Sequence, residues 1–247
     1  MLEVHDHGAV RELRLARAPV NALDAALLSE LGAQVERAPG AGAAALVISG
    51  RPGMFSAGLD VRALLACDKA ALTDFWRLLF HVQEMIARSS VPVIMAITGH
   101  CPAGGTVLAL HGDYRIMAQG SFVIGLNEVQ LGLFPGTLVY RAYERLVGAR
   151  CAAELLLRGA LLDPLAAQQV GLVDELCAPA EVIPRALAYA RGLLALPPRA
   201  FARTRELVRA DLLALFDALQ PQVFEDGTAT WLSEETQARV RGLLERR

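Results

Sequence analysis

Three short segments of the chain hold residue types that could do chemistry together. The first is Arg51-Pro52-Gly53-Met54-Phe55-Ser56-Ala57-Gly58-Leu59-Asp60. It follows an apolar run, and the small residues Ser56, Ala57 and Gly58 would let a ligand approach the backbone and meet a free N–H. Asp60 suits the N-cap of a following helix. Read alone, the segment is also an ordinary strand-turn-helix connection. The second segment, Ile97–Leu110, ends another apolar run in Gly99-His100-Cys101-Pro102-Ala103-Gly104-Gly105 and then opens a helix. A first helical turn has unpaired N–H groups and the positive end of the dipole, so it can hold a developing oxyanion. Gly104-Gly105 would equally permit tight packing of that helix on a sheet. The third segment, Gly125-Leu126-Asn127-Glu128-Val129-Gln130-Leu131-Gly132-Leu133, sets one acidic side chain among largely apolar neighbours. A desolvated carboxylate there would have the raised pKa that a general base near neutral pH needs. A solvated surface glutamate is the ordinary alternative.

The elements that position these segments show in the hydrophobic pattern. Ala9–Leu15 ends in the period-two pattern of a half-buried strand. Pro19-Val20-Asn21-Ala22-Leu23-Asp24 turns into an amphipathic helix, with Asp24 as N-cap and Leu27, Leu28 and Leu31 on the buried side. Ala43–Ile48 and Val91–Ile97 are uniformly apolar, as strands buried on both faces are, and Tyr114–Ala118 returns as a strand. Leu72–Ala87 reads as a helix. After Gly136 strand signals fade, and helical periodicity runs over Tyr140–Leu156, Pro164–Gln169 and from Val182 onward. This order predicts an α/β fold with largely parallel sheets and a mostly helical C-terminal part. No repeat or flexible linker separates the two.

Composition narrows the function classes. Of 247 residues, 54% are hydrophobic and 20% charged, and the net charge is −2, which supplies a core but no footprint for nucleic acid or an anionic membrane. A few local arginines could still bind a polyanionic ligand. The cysteines at 67, 101, 151 and 177 form no CxxC pair, so free thiols in a reducing compartment are expected. The first residues carry no basic stretch leading into an apolar one, and no apolar run is long enough to span a bilayer. The reading is a soluble cytoplasmic protein with no nucleic-acid or membrane partner.

Taken together, the segments resemble the crotonase (enoyl-CoA hydratase/isomerase) superfamily. Phe55-Ser56-Ala57-Gly58-Leu59-Asp60 is similar to its first oxyanion-hole loop, and Pro102-Ala103-Gly104-Gly105 before a helix to its second. Pro19-Val20-Asn21, Asp113-Tyr114-Arg115-Ile116 and Gly125–Gly132 are most similar to the mitochondrial-type Δ3,Δ2-enoyl-CoA isomerase branch, and Ala167–Asp174 to the family's C-terminal signature. The resemblance runs from about residue 10 to 175 and implies a ββα spiral core over 1–190 with a helical trimerisation region over 191–247. It implies that the N–H groups of Ala57 and Gly104 bind the thioester oxygen and that Glu128 is the catalytic carboxylate. Met54, Phe55, Ser56, Gly58, Leu59, Asp60, Gly105 and Val107 would contact substrate. It further implies an acyl-CoA substrate with coenzyme A as part of it, no metal or separate cofactor, and a homotrimer or dimer of trimers.

One departure decides between reactions. A hydratase of this family needs a second carboxylate three residues beyond the oxyanion-hole glycine, and here that residue is Val107. A valine has no donor or acceptor with which to hold a water molecule. Moving a double bond needs one base that takes a proton from C2 of a 3-enoyl thioester and returns it at C4, which favours isomerisation. The alternatives are a hydratase, another crotonase reaction such as thioester hydrolysis or decarboxylation, or a non-catalytic acyl-CoA- or RNA-binding homologue. His100, His111 and Asp113 read as structural or solvent-facing. Phe75, Trp76 and Phe80 read as core, with Trp76 also bordering an acyl pocket, and Arg51 could approach the coenzyme A phosphates.

Overall fold

A computed structural model describes residues 1–245 of the chain. In chain order the elements begin with β1 (Leu2–His7), β2 (Val10–Leu15), α1 (Ala25–Arg37), β3 (Ala45–Ser49), β4 (Gly53–Met54), α2 (Val61–Leu65) and α3 (Lys69–Arg88). Then come β5 (Val93–Ile97), β6 (Gly99–Pro102), α4 (Gly104–Ala109), β7 (Tyr114–Ala118), β8 (Ile124–Gly125) and a 3-10 turn over Glu128–Leu131. They are followed by α5 (Gly136–Val147), α6 (Ala149–Arg158), β9 (Leu161–Leu162), α7 (Pro164–Gln169) and β10 (Glu175–Cys177). The last four helices are α8 (Val182–Leu194), α9 (Pro198–Asp217), α10 (Gln222–Trp231) and α11 (Glu234–Glu245).

The strands form two sheets. The larger has the order β1-β2-β3-β5-β7-β10, parallel throughout except for the β1–β2 hairpin. The smaller has the order β4-β6-β8-β9, its first three strands parallel. The chain thus repeats a β-β-helix unit: β3, β5 and β7 each feed the large sheet, and the strand after each feeds the small one. The three chemical segments follow β4, β6 and β8, which are adjacent and parallel. Their carboxyl ends therefore lie side by side, where open α/β sheets place ligands. Gly99 makes this possible, because a Cβ there would stand 2.0 Å from the Gly53 carbonyl carbon.

Burial explains the expected strands. All residues of β3 and β5 are buried, with Leu46, Ile48, Val93, Met95 and Ile97 facing one core, and Ala45, Val47, Ile94 and Ala96 the other. The first core is covered by α1 and α3, the second by Val182, Ala186, Leu187 and Ala190 of α8. Each fully buried Leu or Ile contributes about 1.5–3 kcal/mol. Asp24 caps α1 by accepting from the Leu27 N–H at 2.8 Å, as its position predicts.

Some elements depart from the expectations. β1 alternates too weakly to register as a strand and lies at the sheet edge with Val4 exposed. The three-residue β10 is too short to carry a strand pattern of its own. The helix expected over Tyr140–Leu156 is two helices, broken at Gly148 with φ +79°. A boundary at 190/191 falls inside α8, and α9 and α10 return to pack on α3. Asp113 is more than a surface turn. Its carboxylate accepts from the Val93 N–H at 2.7 Å, from Arg205 Nε at 2.8 Å and from Arg209 Nη1 at 2.9 Å. The buried Arg209 also donates to the carbonyls of Ala87 and His111, tying α9 to the edge of the core.

Candidate active site

The first segment is fastened by a turn that precedes α1. Asn21, fully buried and at φ 51°, donates through Nδ2 to the carbonyls of Leu15 and Phe55, both at 2.9 Å. Ser56 Oγ donates to the Asn21 carbonyl at 2.7 Å and accepts from the Gly58 N–H at 3.1 Å. The Ala57 N–H, expected to be free for an oxyanion, donates to the Val20 carbonyl at 3.0 Å. Leu23 brackets the next residue, with its N–H on Gly58 O at 2.8 Å and its carbonyl accepting from Asp60 N at 2.9 Å. The Leu59 N–H between them has no partner among the described residues. The cause is pairing with the Val20–Leu23 segment, whose carbonyls at Val20 and Leu23 take the N–H groups of Ala57 and Asp60 and leave that of Leu59 between them.

Asp60 caps α2 by accepting from Ala63 N at 3.0 Å and from Arg17 Nη2 at 2.6 Å. Burial opposes its ionisation, but the Ala63 N–H and the Arg17 guanidinium outweigh it and hold the carboxyl below its ordinary range. Arg17 Nε lies 2.9 Å from Asp24, so one guanidinium joins the caps of α1 and α2.

Gly104 opens α4, so its N–H lies in the first turn, where no intrahelical acceptor exists. The two loops touch. Gly58 has φ +90°, and a Cβ there would stand 3.1 Å from Ala103 Cβ and 3.2 Å from the Gly104 nitrogen.

Glu128 begins the 3-10 turn after β8, and its Oε2 is buried without a hydrogen-bond partner. Burial pushes its carboxyl up to about 7, against a smaller lowering by its own backbone N–H. Leu131, Leu133, Val139 and, on α4, Val107 line the same cleft as Glu128.

All three segments open on one cleft of about 1570 Å³. Met54, Ala57, Leu59, Asp60, Gly104, Val107 and Glu128 line it. Phe55, Ser56, Gly58 and Gly105 stand behind the wall, buried, as braces for the loops. Trp76 and Phe80 also line it, Trp76 set edge-on to Phe75 and to Trp231 of α10, whereas Phe75 lies in the core. His100 lines the cleft, its Nδ1 accepting from Val123 N at 3.3 Å. His111 is wholly buried, donates from Nδ1 to Val107 O at 2.8 Å, and is pushed down by burial to about 3, hence neutral. Arg51 lies outside this cleft, while Arg17, Arg62 and Arg239 reach it. The contribution of α10 and α11 to the cleft had no sequence signal, because it depends on how the terminal helices fold back.

Among the described residues no His, Cys, Asp and Glu side chains are grouped as a metal ion would require, and no helix is long and apolar enough to cross a membrane. The four cysteines are free.

Comparison with known proteins gives the family and the fold. Residues 5–229 match the family model described as enoyl-CoA hydratase/isomerase. The chain is 34% identical over 208 residues to the human mitochondrial enoyl-CoA delta isomerase 1, covering 83% of this chain and 69% of that protein. It is 32% identical to a probable enoyl-CoA hydratase of Mycobacterium avium, covering 87% and 86%. The crystal structure of human mitochondrial Δ3,Δ2-enoyl-CoA isomerase superposes with a TM-score of 0.93 at 30% identity, covering 99% of this chain and 97% of that one.

Proposed function

The chain belongs to the enoyl-CoA hydratase/isomerase family, and from that premise we propose that it is a Δ3,Δ2-enoyl-CoA isomerase. The observation that carries this reading is Glu128: a carboxyl unpartnered at Oε2 and pushed up to about 7 by burial, in a cleft where Val107 stands at the position of the second carboxylate that a hydratase needs.

In this reading the Glu128 carboxylate takes a proton from C2 of a 3-enoyl thioester. The C–H electrons pass into the C1–C2 bond and the thioester carbonyl becomes an enolate oxygen. The Gly104 N–H and the unpartnered Leu59 N–H donate to that oxygen. Leu59 replaces Ala57 in the role, because the Ala57 N–H is engaged by Val20. Each such donor is worth about 3 kcal/mol in the transition state. When the dienolate collapses, C4 takes the proton back from Glu128 and the double bond lies between C2 and C3. The carboxylate is regenerated, and no water is consumed.

The apolar wall supports the reading twice. Burial raises the Glu128 pKa toward working pH, where a general base is most effective, and Val107 has no donor or acceptor with which to hold a nucleophilic water. Coenzyme A enters as part of the substrate, with Arg62 and Arg239 at the cleft as partners for its phosphates. A homotrimer, or a dimer of trimers, belongs to the same proposal. The exposed Leu207 and Val208 of α9 and Leu157 of α6 support such surfaces, and light scattering on purified protein tests it.

Glu128→Gln tests the function. It keeps the shape of the side chain and removes the base, so turnover of 3-hexenoyl-CoA should fall by about 10³-fold or more while binding of hexanoyl-CoA stays within a few fold. Near-normal turnover would remove Glu128 from the mechanism.

A further inference from the structure

Arg17 lines the cleft, yet its charge is already matched. Its Nε stands 2.9 Å from Asp24 and its Nη2 2.6 Å from Asp60, while Nη1 donates to the Ala22 carbonyl at 3.1 Å. A guanidinium between two carboxylates has little left for the phosphates of a coenzyme. Its three bonds instead surround one short piece of backbone pairing. Leu23 and Leu59 form an isolated parallel bridge, closed by Leu23 N on Gly58 O and by Asp60 N on Leu23 O. In such a bridge the N–H of the middle residue, Leu59, points away from its partner. Arg17 holds both residues that flank Leu23 and the residue that follows Leu59. On the other side of the bridge the buried Asn21 and Ser56 tie the same segments, Asn21 Nδ2 to Phe55 O and Ser56 Oγ to Asn21 O. Among the described residues, the Arg17–Asp60 bond is the one side-chain hydrogen bond that joins residues 17–24 to residues 58–63. The planar fork of arginine suits this task, because it sets three donors in fixed directions at once.

We propose that Arg17 is a positioning residue for the oxyanion hole: its guanidinium fixes the Leu23–Leu59 bridge from the α2 side and so aims the Leu59 N–H at the thioester oxygen. This rests on the acyl-CoA reading of the cleft and on Leu59 as donor, though not on isomerisation itself.

The test follows the carbonyl resonance of hexanoyl-CoA, labelled with carbon-13 at C1, on binding to the wild type and to Arg17→Met. Donors at the thioester oxygen polarise the carbonyl and move its carbon downfield. Arg17→Met should keep about half of the wild-type shift or less, since one of the two donors is misaimed. Its kcat on 3-hexenoyl-CoA should fall roughly 10- to 10²-fold, with KM within about threefold. Asp60→Asn keeps an oxygen to cap α2 but removes the charge that faces Arg17, and should lose comparably. The double variant should be no worse than the worse single, because both break one contact. Thermal melting reports folding, and Asp60→Asn reads the proposal if Arg17→Met is unfolded. A wild-type carbonyl shift and kcat in either folded single variant would overturn it. So would weaker binding of hexanoyl-CoA with none for hexanoyl-pantetheine, which would make Arg17 a phosphate ligand. No carbonyl shift in the wild type would reject the Leu59 donor, and the proposal with it. A wild type that shows the Arg17-dependent shift but does not turn over 3-hexenoyl-CoA would reject the isomerase reading and leave the role of Arg17 standing.

Discussion

Gly58 and Gly104 meet at the wall of the cleft, where a Cβ on Gly58 would lie 3.2 Å from the Gly104 nitrogen. The two loops that supply the proposed oxyanion donors approach this closely because neither has a side chain at the contact, and a Cβ on Gly104 would lie 3.3 Å from Gly58 Cα. Gly58→Ala would also be strained at φ +90°. We expect it to lower kcat by about 10²-fold, the effect of losing one oxyanion donor, with a much smaller change in KM. A variant that raises KM alone would show that the contact serves ground-state binding only.

The pH dependence follows from burial of Glu128. The base acts as the carboxylate, and its pKa lies at about 7. The ratio kcat/KM should fall about tenfold per pH unit below that value and level off above it. A profile flat from pH 5 to 8 would contradict the assignment.

The same shift predicts a stability effect of opposite sense. A carboxyl raised from 4.5 to about 7 on folding stabilises the fold below pH 4.5, and that contribution is lost as pH rises through about 7. Glu128→Gln should therefore melt higher than the wild type at pH 8 and nearly level with it at pH 4.5. The gap is no more than about 3 kcal/mol, and less because the side chain is partly open to the cleft. Equal melting differences at both pH values would argue against a desolvated carboxyl.

Val107→Glu tests what the missing second carboxylate means. Val107 lines the same cleft as Glu128 and is only 6% exposed, so a carboxyl there would be added to a largely buried position. We expect isomerisation to drop and hydration of 2-hexenoyl-CoA to become measurable. A folded variant with unchanged isomerase activity would show that position 107 does not touch the reacting carbons.

Much of the core was legible because β3, β5 and β7 are sealed by helices, so their own residues carry the apolar signal. Asp24, Asp60 and the start of α4 at Gly104 were legible because caps and glycines act locally. Glu128 stood out as an acid among apolar residues. The rest depends on distant pairing. Whether the Ala57 N–H or the Leu59 N–H is free is decided by hydrogen bonds to Val20 and Leu23, some 35 residues earlier in the chain. The role of Asp113 depends on Arg205 and Arg209, and the face of the cleft made by α10 depends on Trp76 meeting Trp231. No local pattern encodes these meetings.

The most direct measurement is product identification by magnetic resonance after separate incubation of purified protein with 3-hexenoyl-CoA and with trans-2-hexenoyl-CoA. A single-carboxylate proton shuttle predicts that the first is converted to trans-2-hexenoyl-CoA and that the second yields no 3-hydroxy product. Accumulation of 3-hydroxyhexanoyl-CoA from the second substrate, with no conversion of the first, would contradict it.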